Sequence, residues 1–127
     1  SSGVKGFTTV HAGSARQALT RLRFICQLAD TSNELPMSAL NALVSEAVDL
    51  VVHTERGPDG PQITEVLAVE DLAGGADATQ FTTTPLFHRP TRDAQLAWTG
   101  QVPARLAAGL ARAGHDLRAL VGMEPTS

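Results

Sequence analysis

The chain has 127 residues, with 10 Lys plus Arg against 13 Asp plus Glu, 43% apolar and 18% charged. These are proportions of one ordinary globular domain, not of a disordered tail or a fibre. A formal charge of -3 argues against a nucleic-acid partner, and the longest apolar runs, Leu50 to Val52 and Val66 to Val69, fall far short of the about 18 residues that a membrane span needs.

A single cysteine, Cys26, excludes an internal disulfide framework and any multi-cysteine zinc site, which fits a reducing, soluble setting. The chain opens Ser1-Ser2-Gly3 without an initiator Met or a charged-then-apolar leader, and so reads as a fragment of a longer protein.

In chain order, Phe7-Thr8-Thr9-Val10-His11 reads as a short strand that stops at Gly13. Ser14 is an N-cap with Gln17 three residues on, and Ala15, Ala18, Leu19, Leu22, Ile25, Cys26 and Ala29 recur at helical spacing. The spacing predicts a helix from Ala15 to Ala29 with Cys26 packed in its apolar arc. Arg16, Thr20, Arg23 and Gln27 form the opposite stripe, expected to meet water or a polar partner, while Arg21 sits off it near Phe24 and Leu28.

Asp30-Thr31-Ser32-Asn33 is a turn cluster, and Pro36 opens a second helix that runs to about Ala47. Asp49 to Thr54 and Gln62 to Val69 read as strands joined by the Gly57-Pro58-Asp59-Gly60 turn. After Gly74-Gly75-Ala76-Asp77, Gln80 to Arg89 and Gln95 to Trp98 form a second hairpin across Thr91-Arg92-Asp93. Pro103 starts a last helix that Gly114 ends, and Asp116 to Val121 adds a helical turn. The fold class is α/β, with two helices, β-hairpins and a C-terminal helix.

Little of the chemistry-bearing inventory points to a site. His11, His53, His88 and His115 are tens of residues apart, without a His-x-x-x-His or Cys-x-x-Cys unit, so no metal site is expected. Thr82-Thr83-Thr84 is explained by strand propensity. His11 stands apart because it ends a strand just before a helix start, where α/β proteins place ligand-contacting side chains. Spacing alone leaves two roles open for it, a donor to an anionic phosphate or a backbone hydrogen bond at a strand end.

The stretch Ser2-Gly3-x-x-Gly6-Phe7-Thr8-Thr9-Val10-His11-Ala12-Gly13-Ser14-Ala15-Arg16-x-Ala18-Leu19-x-Arg21-Leu22 resembles the histidine-box region of type II/IV secretion and Tad (Flp) pilus-assembly ATPases. Glu46 to His53 and Ile63 to Val69 resemble that family's strand pair, and Ala111 to Leu117 resembles the C-terminal ending of its actinobacterial members. The resemblance implies the C-terminal part of a RecA-like P-loop ATPase domain over residues 1–72, followed by a C-terminal hairpin and helical extension over residues 73–127.

It further implies a hexameric motor that binds ATP and Mg and couples hydrolysis to pilin assembly or protein export. Such a motor would sit in the cytoplasm, at the inner face of the membrane, beside an inner-membrane platform protein. His11 maps onto the histidine that faces the nucleotide phosphates; Thr8, Thr9 and Arg21 are the secondary candidates for nucleotide contact or a subunit boundary.

Two departures from the family stand out. Gly13 replaces the usual Asn, and no Gly-x-x-x-x-Gly-Lys-Ser/Thr occurs, the only lysine being Lys5. The chain alone is therefore expected not to hydrolyse ATP. A second reading is an accessory domain without a nucleotide role, which would pack on a ring neighbour or platform protein through the Arg16, Thr20 and Arg23 face.

Overall fold

The structure is a computed structural model and describes residues 6–30, 34–73 and 80–122. The opening Ser2 to Lys5, Thr31 to Asn33 of the expected turn, and the Gly74 to Asp77 separator lie outside the described residues. Helices α1 (Ala15–Ala29) and α2 (Met37–Ala47) precede strands β1 (Leu50–Gly57), β2 (Gly60–Val69), β3 (Thr83–His88) and β4 (Ala97–Trp98). Helices α3 (Ala104–Arg112) and α4 (Leu117–Val121) follow.

The four strands form one sheet in the order β1-β2-β3-β4, with every pairing antiparallel. The fold is thus mixed α/β, and both expected hairpins are present. The first reverses through Pro58-Asp59, after which Gly60 adopts φ 118°, a backbone setting that L side chains rarely take. Gly114, at φ 87°, ends α3 in the same way, with the amide of His115 closing on the carbonyl of Leu110 at 2.8 Å.

Three expectations are corrected. Phe7 to His11 is no strand: Gly6 to Ala12 has neither helix nor ladder, and Phe7 is fully exposed. Threonine and valine favour extended backbone, but a strand also needs a partner, and β1 to β4 bond only to one another. Cys26 is exposed rather than packed, because α1 buries Ala15, Ala18 and Leu19 in its first two turns and leaves Phe24, Ile25 and Leu28 half or more in water.

The polar stripe of α1 is, in turn, half used by the fold itself: Thr20 and Gln27 are exposed as expected, while the two arginines bond within the chain. Arg16 donates to Thr83 Oγ1 at 2.7 Å and to the carbonyl of Phe81 at 2.9 Å. Arg23 donates to the buried Asn41 Oδ1 at 2.9 Å and lies 5.8 Å from the centre of the Phe81 ring.

The core lies between the helix pair and the sheet. Ala15 and Leu19 of α1, Val44 of α2, Leu67 and Val69 of β2, and Phe81 form one buried cluster, extended by Leu22, Val48, Val51 and Leu72. The register explains the strand residues: Val51 faces Leu67 across the ladder, and Val69 follows two positions on, on the same face.

Two helix ends without caps of their own are closed from across the fold. Helix α2 has no basic residue in its last turn, and α3 starts at Pro103 without a side-chain cap. Arg105, in the first turn of α3, donates to the carbonyls of Ser45 at 2.7 Å and Val48 at 3.0 Å, and to Asp49 Oδ1 at 3.0 Å. Glu70, just past β2, accepts from the amides of Ala104 at 3.2 Å and Arg105 at 3.0 Å and from Thr84 Oγ1 at 2.6 Å. Its own carbonyl accepts from Ser45 Oγ at 3.1 Å.

Arg105→Ala leaves those carbonyls without their charged donor, and is expected to lower unfolding free energy by about 2 to 3 kcal/mol in urea denaturation. Arg112→Ala, at an exposed position on the same helix, should change it by less than about 0.5 kcal/mol.

Candidate functional site

The four residues singled out from the sequence lie on two elements. Thr8, Thr9 and His11 sit on the irregular segment before α1 and are exposed; Arg21 is exposed on α1 itself. The segment delivers His11 to the start of α1 through Ala12 and Gly13.

That start is closely built. Ser14 Oγ accepts from the amide of Gln17 at 3.1 Å, and Gln17 Oε1 accepts from the amide of Gly13 at 2.8 Å. The predicted capping pair therefore forms, with its return bond made to Gly13 rather than to Ser14. A Cβ on Gly13 would stand 2.8 Å from Gln17 Oε1. Glycine at this position lets the Gln17 amide close over the backbone.

A cavity of about 290 Å³ opens beside this helix start, lined by Gly13 and Ser14, by the far ends of β1 and β2, and by the turn after β3. His53, Glu65 and His88 are direct cross-strand partners on β1, β2 and β3, and make one row along its floor. The middle member reaches up to the helix, Glu65 Oε1 accepting from the amide of Ala15 at 3.3 Å. A carboxylate there meets the positive end of the helix dipole.

His53 Nε2 is buried and has no hydrogen-bond partner, although Glu55 Oε2 lies 3.4 Å away. That approach is a charge contact when the imidazole is protonated, without the alignment of a hydrogen bond. Arg56, Arg89 and Arg92 line the rim. Arg89 is fixed by bonds to the carbonyls of Ile63 at 2.9 Å and Ala94 at 2.6 Å.

Among the described residues no three His, Cys, Asp or Glu side chains converge as ligands for a metal ion. Lys5 lies outside the described residues, and the sequence holds no glycine-rich phosphate loop. Among the described residues no cradle for ATP with Mg is formed. No helix among the described residues is long and apolar enough to cross a membrane.

Glu65 was missed as a functional candidate, yet it carries a sequence signal. Glu65, Leu67 and Val69 alternate onto one face of β2, so an acid occupies a row that is otherwise apolar and faces the core. Such a carboxylate needs a donor, and the open amides of a helix start supply one.

No protein-family model matches the chain. It is 36% identical over 70 residues to the probable conjugal transfer protein TrbB of Sinorhizobium fredii, a match covering 55% of this chain and 20% of that protein. It is 45% identical over 51 residues to the type IV secretion system protein PtlH of Bordetella pertussis, covering 40% of this chain and 15% of that protein. Conjugal transfer protein TrbB of Rhizobium radiobacter matches at 37% over 65 residues, covering 51% and 18%. The chain spans no more than about a fifth of the length of these curated relatives. It is similar, over part of its length, to proteins of conjugal transfer and type IV secretion.

Ser14→Ala removes the acceptor for the Gln17 amide and is expected to cost about 1 kcal/mol. Gly13→Asn should cost less, since only the mobile end of Gln17 has to swing aside. Urea denaturation of the two variants beside the parent chain measures both.

Proposed function

We propose that the chain is a working part of a secretion motor ATPase, the RecA-like region that follows the phosphate-binding half, in a protein that couples ATP hydrolysis to pilin assembly, as in Tad systems, or to protein export. The identity of 36% to 45% with TrbB and PtlH carries this reading. The placement of His11, exposed just ahead of a rigidly capped helix start, supports it.

In this proposal His11 donates to the phosphate on which charge develops during transfer, while the cradle and the Mg site come from residues outside these 127. The motor acts as a ring, with a hexamer as the expected state, at the cytoplasmic face of the inner membrane against a platform protein. Thr8 and Thr9 would lie near the nucleotide, and Arg21 at a subunit boundary.

The accessory-domain reading needs a spare polar face on α1. Arg16 and Arg23 are instead bonded to Thr83, Phe81 and Asn41, which favours the motor reading.

Two experiments test it in the complete motor. His11→Ala should cut ATP turnover by about 10- to 1000-fold, with a much smaller change in nucleotide binding. Unchanged turnover in a phosphate-release assay would make His11 structural, and turnover by the 127-residue chain alone would contradict the division of parts. Arg21→Lys should impair ring assembly or turnover, because a planar fork holds a carboxylate or phosphate through two parallel bonds that an ammonium cannot copy. Arg118→Lys, also exposed, is the control, and equal sedimentation and rates for both variants would leave Arg21 as surface packing.

A further inference from the structure

We infer that Glu65 is a positioning residue for His11: its carboxylate bolts the start of α1 to the sheet and so fixes the direction from which the His11 segment leaves the fold. The inference rests on the proposed role of His11 and adds a residue that the histidine-box resemblance does not supply.

The geometry separates Glu65 from the other bonds at this helix start. Ser14 with Gln17, and Gln17 with Gly13, join residues three and four apart, so they shape the turn but travel with the helix. The bond from the Ala15 amide to Glu65 Oε1 spans 50 residues of sequence and ends on β2, the second strand of the sheet. Arg16 makes a second hydrogen-bonded tether, through its guanidinium to Thr83 and the carbonyl of Phe81, residues that do not line the cavity. With Glu65 in place the backbone of Ala15 is held as well as its buried side chain; without it the first turn keeps the core packing of Ala15 and Leu19 and the Arg16 tether but loses the bond nearest the preceding segment, and the four residues from His11 to Ser14 lose their fixed direction.

Glu65 is itself held. It stands between His53 and His88 in the cross-strand row, which limits its sideways movement, and β2 at this point is laddered on both sides. The bond depends on reach as much as on charge. At 3.3 Å it is already long for an amide donor, so a side chain shorter by one methylene cannot make it. Two conservative variants therefore separate the possibilities. Glu65→Gln keeps the length and a carbonyl acceptor and loses the charge; Glu65→Asp keeps the charge and loses the reach.

The test uses the complete motor and reads kcat and KM for ATP. Glu65→Asp and Glu65→Ala should each lower kcat by about 10- to 100-fold, the scale on which a displacement of about 1 Å acts, with KM changed less than about twofold. Glu65→Gln should stay within about threefold of the parent. In a His11→Ala background, Glu65→Asp should give no further loss, since a residue that works through His11 has nothing left to position.

Glu65→Asp at the parent rate overturns the inference, as does the reversed order with Gln below Asp, or an equal loss from Glu65→Asp with and without His11. If Glu65→Ala fails to fold, the Asp and Gln pair decides alone. A parent-like rate for His11→Ala overturns the proposed function and this inference with it, whereas an impaired His11→Ala beside an unimpaired Glu65→Asp overturns only the inference.

Discussion

The junction of Glu70 and Arg105 is the constraint on which the rest of the molecule depends. A helix leaves four amides open at its start and four carbonyls at its end, and α2 and α3 lack local side chains to close them. Arg105 closes the end of α2 from the first turn of α3, and Glu70 closes the start of α3 from the end of β2. Each bond joins residues 25 to 60 positions apart, apart from the 14 that separate Glu70 from Thr84. The end of the helix pair, the sheet and the last helices are thereby registered together at one corner, and none of them can shift without opening charged hydrogen bonds that are partly out of water.

The same device recurs at α1, with a different consequence. Its start is tied to β2 through Glu65 and to β3 through Arg16, and its middle to α2 through Arg23 and Asn41. Beyond that the second half of the helix buries no side chain among the described residues. Phe24, Ile25 and Leu28 keep half or more of their surface in water, as does Leu43 of α2. Fixing a helix over its first half while leaving the second half apolar and open concentrates precision where the chain enters from His11. Burial energy alone would not do this, because it rewards covering the larger side chains first.

Local chemistry in the sequence fixes much of this fold. The start and end of α1, both hairpins and the glycine stop of α3 follow from spacing and turn residues, and all are present. What spacing could not give is which polar residues work over long range. A stripe of Arg16 and Arg23 looks solvated on a helical wheel, yet both side chains are long enough to reach back to Phe81, Thr83 and Asn41. The error at Cys26 has the same origin, since periodicity identifies an apolar arc but not how far along the helix the sheet continues beneath it. At Phe7 to His11 the residues favour extension correctly, and the missing element is the neighbouring strand, which no local property encodes. Of the candidate site, His11 comes from the family resemblance and from its place just ahead of the α1 start, the strand expected before it being absent, while the Glu65 bond appears only when the acid in an apolar row is asked where its donor is.

A lone exposed histidine has little chemistry by itself, because a donor stabilises developing charge only when its direction is fixed before the charge appears. Water would otherwise do as well. The proposed role of His11 therefore places the demand on its surroundings, and the structure of those surroundings is disproportionately elaborate for a surface turn. Two local caps, a carboxylate from β2 and a guanidinium bonded to β3 converge on the first turn that follows it. Gly13 belongs to the same arrangement: by omitting a Cβ it lets Gln17 lock the backbone two residues from His11. Gln17 and Glu65 thus share the work of fixing the turn, and in the proposed role the rigidity available to His11 comes from the sheet as well as from the segment that carries it.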